Sequence, residues 1–462
     1  MMRSVPALTF LGATRTVTGS RFLVETSSVQ VLVDCGLYQG AGELRRRNWA
    51  PLGFSPDRLD AVVLSHAHLD HSGWLPRLVR DGYAGPVLCS PWTARVAPIV
   101  LRDAAHLQEE DAEHAARHGY SKHQPPQPLF TTADAEKAIG LLTPVEYGQP
   151  YELAAETILT LHRAGHILGS STVELRAGRA SIGFTGDLGR NDHPLLAPPA
   201  PAPSVDSMLV ESTYGDRVHP PRDLAALGEP VRAALARGGV VLIPAFAIDR
   251  TPVLLLALRR LMSDGTVPPV PVYVDSPMAL AALDVYRDAV RSGAEEIRAD
   301  LRGRSGDPFD PGQLRLVHSV EESIRLNNPG EPCIVISASG MATGGRVVHH
   351  LEHLLPGPEN LILLPGFQVA GTRGRDLLDG ATSLKMYGRY VPVRAQIVGV
   401  DEFSAHADAR GVVDWLRTSA VAPRTCYVVH GELDASQALA RDIERDLGCC
   451  AVVPRPGERV LL

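Results

Sequence analysis

Three histidines and one aspartate lie close together in the first part of the chain. His66, His68, Asp70 and His71 fall within the string Ser-His-Ala-His-Leu-Asp-His-Ser-Gly. Imidazole nitrogens and carboxylate oxygens are ligands that Zn²⁺ binds in proteins. A string of the form H-x-H-x-D-H can divide its ligands between two metal ions, as a helical H-E-x-x-H cannot. The spacing therefore predicts a metal site.

Further candidate ligands lie downstream, and together with the first cluster they are too many for one tetrahedral zinc ion. The full set is His66, His68, Asp70, His71, His166, Asp187 and His430. Such a set suits two ions. Two metal ions roughly 3.5–4 Å apart can hold a hydroxide between them and clamp a phosphoryl oxygen during in-line attack.

The elements that must position these residues are short strands. An apolar run at 59–64 precedes the histidine cluster, and a Ser-Gly turn after it leads into a helical pattern from Trp74. Strand patterns at 8–12, 20–25 and 29–34 predict a β-meander that ends in Asp34. His166 lies in a Gly-bounded turn, and Asp187 follows another strand. We therefore expect these side chains at one rim of a sheet.

A second block with a different pattern follows a Pro/Ala-rich segment at 195–204. Strand and helix patterns alternate from 207 onward, which is typical of a parallel sheet covered on both faces. The last strand patterns, at 395–400, 425–429 and 450–453, are expected to rejoin the first domain. The predicted organisation is a first domain at 1–206, an inserted domain at 207–384 and the remainder of the first domain at 385–462.

Composition narrows the class of protein. Of the 462 residues, 45% are hydrophobic and 21% charged, as in ordinary globular proteins. The net charge of −7 argues against a protein that coats nucleic acid, although it leaves a local basic site open. The six cysteines form no C-x-x-C pair, so we expect free thiols in a reducing compartment. No leader or membrane-length apolar run is evident, and we expect a cytoplasmic location with no membrane partner.

The candidate ligands resemble the motifs of the metallo-β-lactamase superfamily. The four motifs are matched by Asp34, by the string His66 to His71, by His166 and by Asp187. The resemblance implies that one zinc ion is held by His66, His68 and His166. It implies a second ion at Asp70 and His71, with Asp187 bridging the two and Asp34 orienting the site from behind the ligands.

Motifs in the later part of the chain resemble the β-CASP branch of this superfamily. They are Glu211-Ser-Thr-Tyr-Gly, Ser404-Ala-His406 and Val429-His430-Gly-Glu. The similarity is to compact nucleases related to the catalytic subunit of the cleavage and polyadenylation specificity factor. It implies that His430 completes the second zinc site. It also implies that His406, positioned by Glu211, is the general acid that protonates the leaving oxygen.

A Gly-rich segment at 337–346 is a candidate phosphate-binding loop. A strand ends, small residues turn and a helix begins, so backbone N–H groups can surround an anion. A second Gly-rich segment at 371–375 contributes arginines suited to phosphate oxygens. The candidate contacts are Ser339, Gly340, Thr343, Gly344, Arg346, Gly371, Thr372 and Arg373.

Together these features predict an α/β protein, a metallo-β-lactamase αββα sandwich with an inserted β-CASP domain. The expected activity is hydrolysis of single-stranded RNA by a ribonuclease with two Zn²⁺ ions, with Mn or Fe as alternatives. Internal cleavage and cleavage from the 5′ end both remain open, and a homodimer is one option for the oligomeric state. The rival interpretations are a small-molecule metallohydrolase of the lactamase or thioesterase type and a catalytically silent RNA-binding scaffold.

Overall fold

Two compact units make up the chain. The computed structural model describes residues 5–118, 126–220, 223–304, 306–400 and 403–462. One unit comprises residues 1–218 and 406–462, and the other comprises residues 219–405. The first unit is thus assembled from both ends of the chain. In the part of the chain that the structure describes, no helix is long and apolar enough to cross a membrane.

Among its described residues, the first segment of the first unit contains eleven short strands, and its helices lie between β3 and β6. Its strands are Ala7–Phe10 (β1), Phe22–Glu25 (β2), Gln30–Val33 (β3), Ala61–Val63 (β4), Val87–Cys89 (β5), Leu142–Pro144 (β6), Tyr151–Ala154 (β7), Thr157–Arg163 (β8), Ser171–Ala177 (β9), Ala180–Phe184 (β10) and Ser207–Glu211 (β11). Its helices are Gly42–Arg47 (α1), Leu69–Ser72 (α2), Leu75–Arg80 (α3), Pro91–His118 (α4) and Thr132–Ile139 (α5), with a 3-10 turn at Pro56–Arg58. The single turn α2 lies inside the histidine string, where the sequence had predicted a helix only from Trp74.

The second unit is built from the middle of the chain. Its strands are Val241–Pro244 (β12), Val272–Val274 (β13), Leu314–Leu316 (β14), Ile334–Ser337 (β15), Leu361–Pro365 (β16), Ser383–Met386 (β17), Arg389–Pro392 (β18) and Gln396–Val400 (β19). Its helices are Ala225–Ala236 (α6), Arg250–Ser263 (α7), Pro277–Ser292 (α8), Val320–Arg325 (α9), Arg346–Leu354 (α10) and Arg373–Leu378 (α11).

The end of the chain returns to the first unit. It contains Ala409–Leu416 (α12), Thr425–Val429 (β20), Leu433–Leu447 (α13), Cys450–Val452 (β21) and Arg459–Leu461 (β22). The strands β20 and β21 join one sheet of this unit and β22 joins the other. The expected return of strands 425–429 and 450–453 is thus observed.

The first unit is a four-layer sandwich of two sheets between helices. One sheet has the order β22-β1-β2-β3-β4-β5-β6 and the other β21-β20-β11-β10-β9-β8-β7. Phe10, Leu161 and Phe184 belong to the apolar core between the sheets. A second core joins α3, α4 and α5 to the first sheet, and a third joins α12 and α13 to the other sheet. The predicted αββα fold class and the β1–β3 meander are confirmed.

The second unit contains a parallel sheet of order β14-β13-β15-β12-β16-β19. One face packs against α10 and α11 through residues such as Leu242, Val347 and Leu377. Helix α6 contacts β12, β16 and β19. Strand β19 pairs with β16 in this sheet, whereas the sequence had led us to expect strand 395–400 beside the strands of the first domain. A two-stranded hairpin, β17–β18, was not foreseen.

Local sequence signals explain where several of these helices begin and end. Ser276 accepts a hydrogen bond from the Ala279 N–H at the start of α8, and Pro277 occupies the first helical position. Gly293 ends that helix in the left-handed region, with φ of 69°. Thr131 forms a capping box at the start of α5.

The segments before β2 and after β3 hold the histidine string in position through backbone contacts. The Ser20 N–H donates to the Asp70 carbonyl at 2.8 Å, and the Cys35 N–H donates to the His71 carbonyl at 2.7 Å. Between these contacts lies Gly36, where an added Cβ would fall 1.6 Å from the Asp70 carbonyl oxygen. The close backbone approach at this point therefore requires glycine.

We predict that Gly36→Ala destabilises the first unit. The added methyl group must displace backbone rather than a flexible side chain, so the free energy of unfolding should fall by about 1–3 kcal/mol or more. Thermal or urea denaturation measures the change. Gly53→Ala is the matched control, because nothing lies within 4 Å of a Cβ at this exposed glycine. Equal stability of the two variants would contradict the packing described here.

Candidate metal centre

The predicted ligands lie at strand ends of the first unit. The His66 to His71 string follows β4, His166 lies between β8 and β9, and Asp187 follows β10. His430 comes directly after β20. Because β10, β11 and β20 run parallel, their carboxyl ends meet at one edge of the sheet. The structure thus brings residues separated by up to 364 positions in sequence to one place.

One group of ligand atoms consists of three imidazoles and a carboxylate. His68 Nδ1 lies 3.1 Å from His66 Nε2 and 3.3 Å from His166 Nε2. Asp187 Oδ2 lies 3.4 Å from His66 Nε2 and 3.5 Å from His166 Nε2. The four ligand atoms therefore converge on a common point.

A second group lies on the other side of the same aspartate. His71 Nε2 is 3.1 Å from both His430 Nε2 and Asp187 Oδ1. Asp70 Oδ2 is 3.3 Å from His430 Nε2 and 3.9 Å from His71 Nε2. Asp187 thus presents one carboxylate oxygen to each group.

The convergence of these atoms fits bound metal. Asp187 Oδ1 is buried and, among the described residues, accepts no hydrogen bond. A single ring nitrogen offers one lone pair or one N–H, so His68 Nδ1 cannot form good hydrogen bonds with both His66 Nε2 and His166 Nε2. A cation between the nitrogens and the carboxylate oxygens would satisfy all of them at once. The donor set therefore fits a metal-binding site.

The pKa values of Asp187 and of the three histidines in the first group agree with this assignment. Burial lowers the pKa of His68 to about 3, and the charge of His66 adds to the effect. Burial also lowers the pKa of His66 and of His166. Burial opposes the ionised form of Asp187, but the charges on surrounding histidines hold its pKa well below the usual value. Neutral imidazoles and an ionised carboxylate are the forms that bind metal.

His71 differs from the other histidines because carboxylates contact both of its ring nitrogens. Burial disfavours its charged form, but Asp187 and Asp34 outweigh burial and raise its pKa well above the usual value. Asp34 Oδ2 lies 2.7 Å from His71 Nδ1. Asp34 also accepts hydrogen bonds from the Ser65 N–H at 2.7 Å and from the Ser65 hydroxyl at 3.0 Å. Asp34 thus contacts the His71 ring at Nδ1, the nitrogen that does not face the other ligands. It also contacts Ser65, at the start of the loop that carries His71.

His406 and Glu211 form a pair at the edge of the cluster. His406 Nδ1 lies 3.0 Å from Glu211 Oε1, and Glu211 is buried. The Leu188 and Thr213 N–H groups donate to the two oxygens of that carboxylate. His406 Nε2 lies 3.9 Å from Asp187 Oδ2. Burial opposes protonation, yet the charges of Glu211 and Asp187 raise the pKa of His406 to about 9.

Thr213 and Ser65 are two contacts that the sequence interpretation did not single out. Thr213 Oγ1 lies 3.2 Å from His430 Nδ1, the ring nitrogen on the side away from Asp70. Ser65 Oγ lies 3.0 Å from His66 Nδ1. Groups of this kind orient ligand rings. Each is adjacent to a recognised motif, but a hydroxyl in a sequence gives no sign of which ring it will meet.

The predicted phosphate contacts lie in the second unit. Ser339, Gly340, Thr343 and Gly344 belong to the loop between β15 and α10, and Arg346 begins α10. The Ser339 hydroxyl accepts a hydrogen bond from the Thr343 N–H at 3.1 Å, so the loop is closed on itself. The predicted strand, turn and helix are present. Phosphate binding itself stays a prediction.

The second Gly-rich segment contacts this loop. Gly371 precedes Thr372, which caps α11 by accepting a hydrogen bond from the Arg375 N–H. Arg373 Nη1 donates to the carbonyl oxygens of Ala342 at 3.2 Å and Thr343 at 3.0 Å. The two predicted segments are therefore in direct contact.

Arg346 is held by a buried aspartate that the sequence interpretation missed. Arg346 Nη1 and His350 Nε2 each lie 2.6 Å from a carboxylate oxygen of Asp275. The Ser323 hydroxyl donates to the same carboxylate at 2.5 Å. Burial opposes ionisation, but these partners lower the pKa of Asp275. The signal available in the sequence was an acid directly after a strand, the same signal that marked Asp34 and Asp187.

Family models match the chain in three places. The metallo-β-lactamase superfamily model matches residues 16–229, and the β-CASP domain model matches residues 251–377. A model described as a Zn-dependent metallo-hydrolase RNA specificity domain matches residues 390–454. These matches follow the order of the motifs along the chain.

Relatives align over most of the chain. Ribonuclease TTHA0252 of Thermus thermophilus is 38% identical over 443 residues, which cover 95% of each protein. Transcription termination factor FttA of Methanocaldococcus jannaschii is 32% identical over 437 residues, 92% of this chain and 67% of that protein.

A solved structure shares the fold. The crystal structure of a protein of unknown function from Enterococcus faecalis V583 is similar over 99% of this chain and all of that one, with a TM-score of 0.54 and 15% identity. The family models, the relatives and the ligand geometry agree. The chain belongs to the metallo-β-lactamase superfamily, in its β-CASP branch.

Proposed function

We propose that this protein is a ribonuclease that hydrolyses phosphodiester bonds of single-stranded RNA with two bound zinc ions. The observation that carries the proposal is the carboxylate of Asp187, which offers one oxygen to each of two ligand groups. A histidine paired with a buried glutamate lies at the edge of the same cluster. Ligands for two ions beside a proton donor suit phosphodiester hydrolysis.

The residues that would hold metal fall into two groups. His66, His68 and His166 would hold one ion, and Asp70, His71 and His430 the other, with Asp187 shared. When bound, the ions would lower the pKa of a coordinated water and neutralise charge on a phosphoryl oxygen. Asp34 fixes the ring of His71 and the loop that carries it. The nitrogen and carboxylate ligands suit zinc, while manganese and iron remain alternatives.

His406 would protonate the leaving oxygen of the cleaved bond. Its Nδ1 faces Glu211, so the proton available for transfer is on Nε2, the nitrogen nearer Asp187. Glu211 is held by two backbone N–H groups and therefore fixes both the orientation and the charge of the ring. The charges of two carboxylates raise the pKa of His406, which favours the protonated form that a general acid needs.

The loop at 338–345 would bind a phosphate of the RNA strand. Its backbone and the hydroxyls of Ser339 and Thr343 supply hydrogen-bond donors. Arg373 stabilises the loop by binding two of its carbonyl oxygens, and Arg346 at the end of the loop is held by its ion pair with Asp275. A loop that leads into the N-terminus of a helix suits this role, because the N–H groups there point toward a bound anion.

RNA is favoured over a small substrate by the comparisons. One relative is named as a ribonuclease, and the matched C-terminal model is described as an RNA specificity domain. A lactamase or thioesterase would leave the His406–Glu211 pair and the second unit without a role. A silent scaffold would not need a complete set of ligands.

A cytoplasmic location and a homodimer belong to the proposal as well. Cleavage from the 5′ end and internal cleavage are both compatible with the site.

We predict metal-dependent cleavage of single-stranded RNA. The purified protein should cleave a 5′-labelled RNA, and a chelator should abolish cleavage until zinc is restored, because the ligands would be left without ions. Parallel incubations with a lactam and a thioester test the small-molecule alternative. Hydrolysis of either compound with intact RNA would contradict the proposal. A protein that binds RNA and cleaves none of the substrates would instead be a scaffold.

We predict that His406→Ala retains metal but loses cleavage. Removal of a general acid should lower kcat by roughly 10²–10⁴-fold, while metal content measured by mass spectrometry stays the same. His162→Ala is the matched control, because His162 also pairs with a glutamate, Glu174, at 2.7 Å but lies outside the ligand groups. Loss of metal from the His406 variant would show that His406 is a ligand and not the acid.

A further inference from the structure

Tyr387 and His349 form an exposed aromatic stack on the second unit. Their rings are parallel to within 18°, and the centroids lie 4.8 Å apart. The Tyr387 hydroxyl lies 3.0 Å from His349 Nε2. Tyr387 nevertheless remains 55% exposed, and His349 is also exposed. The two rings are thus fixed against each other while part of their surface is open to solvent.

The backbone at Tyr387 is unusual for an aromatic residue. Tyr387 and Gly388 form the two-residue turn between β17 and β18, with φ of 47° and 81°. Turns with two positive φ values favour Asn-Gly, and a bulky residue at the first position is an outlier. Strained conformations of this kind persist where the surrounding structure or function requires the side chain. The strained backbone at Tyr387 therefore points to a structural or functional requirement for its ring.

The stack lies beside the loop proposed to bind phosphate. His349 is on the first turn of α10, four residues after the N-cap Gly345, or about 6 Å along the helix axis. Arg373 donates to the carbonyl oxygens of Ala342 and Thr343 in the loop, and its charge also acts on the Tyr387 hydroxyl. The rings and the loop are therefore close enough to contact neighbouring groups of one nucleotide chain.

The charges around the stack favour a neutral group on the rings. Glu352 acts electrostatically on both His349 and Tyr387. Burial lowers the pKa of His349, which favours the neutral form of its ring. A phosphate directly on the rings would meet the carboxylate of Glu352. The exposed Lys385 and Arg389 on the same hairpin suit the backbone of a polyanion nearby.

We propose that the Tyr387–His349 stack binds a base of single-stranded RNA next to the phosphate held by the 338–345 loop. The proposal rests on the proposed ribonuclease function and adds a contact that none of the sequence motifs contains. Aromatic side chains stack on every base, because every base has a π-face. The stack therefore contributes affinity for unpaired RNA without selecting a sequence.

The test is the kinetics of RNA cleavage by full-length, metal-loaded protein carrying Tyr387→Asn. Asparagine suits the turn, so the melting temperature should stay the same or rise. Loss of one stacked base should raise KM for a short oligouridylate by roughly tenfold, with kcat within about twofold of the parent. Tyr387→Phe, which keeps the ring, should restore KM. An abasic ribose-phosphate oligomer should show no difference in KM between the parent and Tyr387→Asn.

Tyr390→Ala is the matched control on the same hairpin. Tyr390 is 74% exposed and, within the described ranges, has no aromatic partner. KM should be unchanged in this variant. The proposal would be overturned if Tyr387→Asn left KM unchanged, or if its melting temperature fell as KM rose. It would also be overturned by an equal effect on KM for the abasic oligomer, or by an equal effect of Tyr390→Ala. Parent protein that cleaves no RNA would refute the ribonuclease function itself, which is a distinct result.

Discussion

The position of one carboxylate, that of Asp187, determines the arrangement of the centre. Its two oxygens face different ligand groups, so each group is complete only while that side chain stays fixed. Close backbone packing fixes it. A Cβ at Gly186 would lie 2.7 Å from the Ser65 side chain, and one at Gly189 would lie 2.0 Å from the Gly165 carbonyl oxygen. Glycines thus allow the Asp187 loop to approach the loops that carry the histidines.

The sandwich explains why so many charged and polar groups can be buried together. Ionised groups are costly to bury unless they are paired or bound to metal. Here the strand ends of both sheets direct imidazoles and carboxylates to one edge, where buried histidines and carboxylates lie side by side. Behind the ligand atoms, Asp34 and Glu211 hold His71 and His406 by hydrogen bonds. The fold therefore provides a site whose remaining unsatisfied atoms are suited to a cation.

The sequence singled out side chains that converge in the structure, because histidines and acids at strand ends carry a chemical signature, and metal binding by each of them stays a prediction. Residues such as His66 and Asp187 have few structural reasons to follow strands in that spacing. Strand and helix patterns predicted the β-meander and the parallel sheet, and the resemblance to the metallo-β-lactamase superfamily implied the sandwich. Other features could not be predicted from the sequence because they depend on tertiary contacts. Strand β19 pairs with β16 although its own pattern fits either sheet. His350 is buried and contacts Asp275, and the sequence does not reveal this pair because the two residues lie 75 positions apart.

The central claim is that Asp187 is shared by two metal ions. Anomalous diffraction at the zinc edge from crystals of zinc-loaded protein tests it most directly. The account predicts two peaks per chain, roughly 3.5–4 Å apart, one beside each oxygen of Asp187. One peak should lie among His66, His68 and His166, and the other among Asp70, His71 and His430. A single peak that leaves either group without metal, or two peaks of which one is not bound by Asp187, would contradict it.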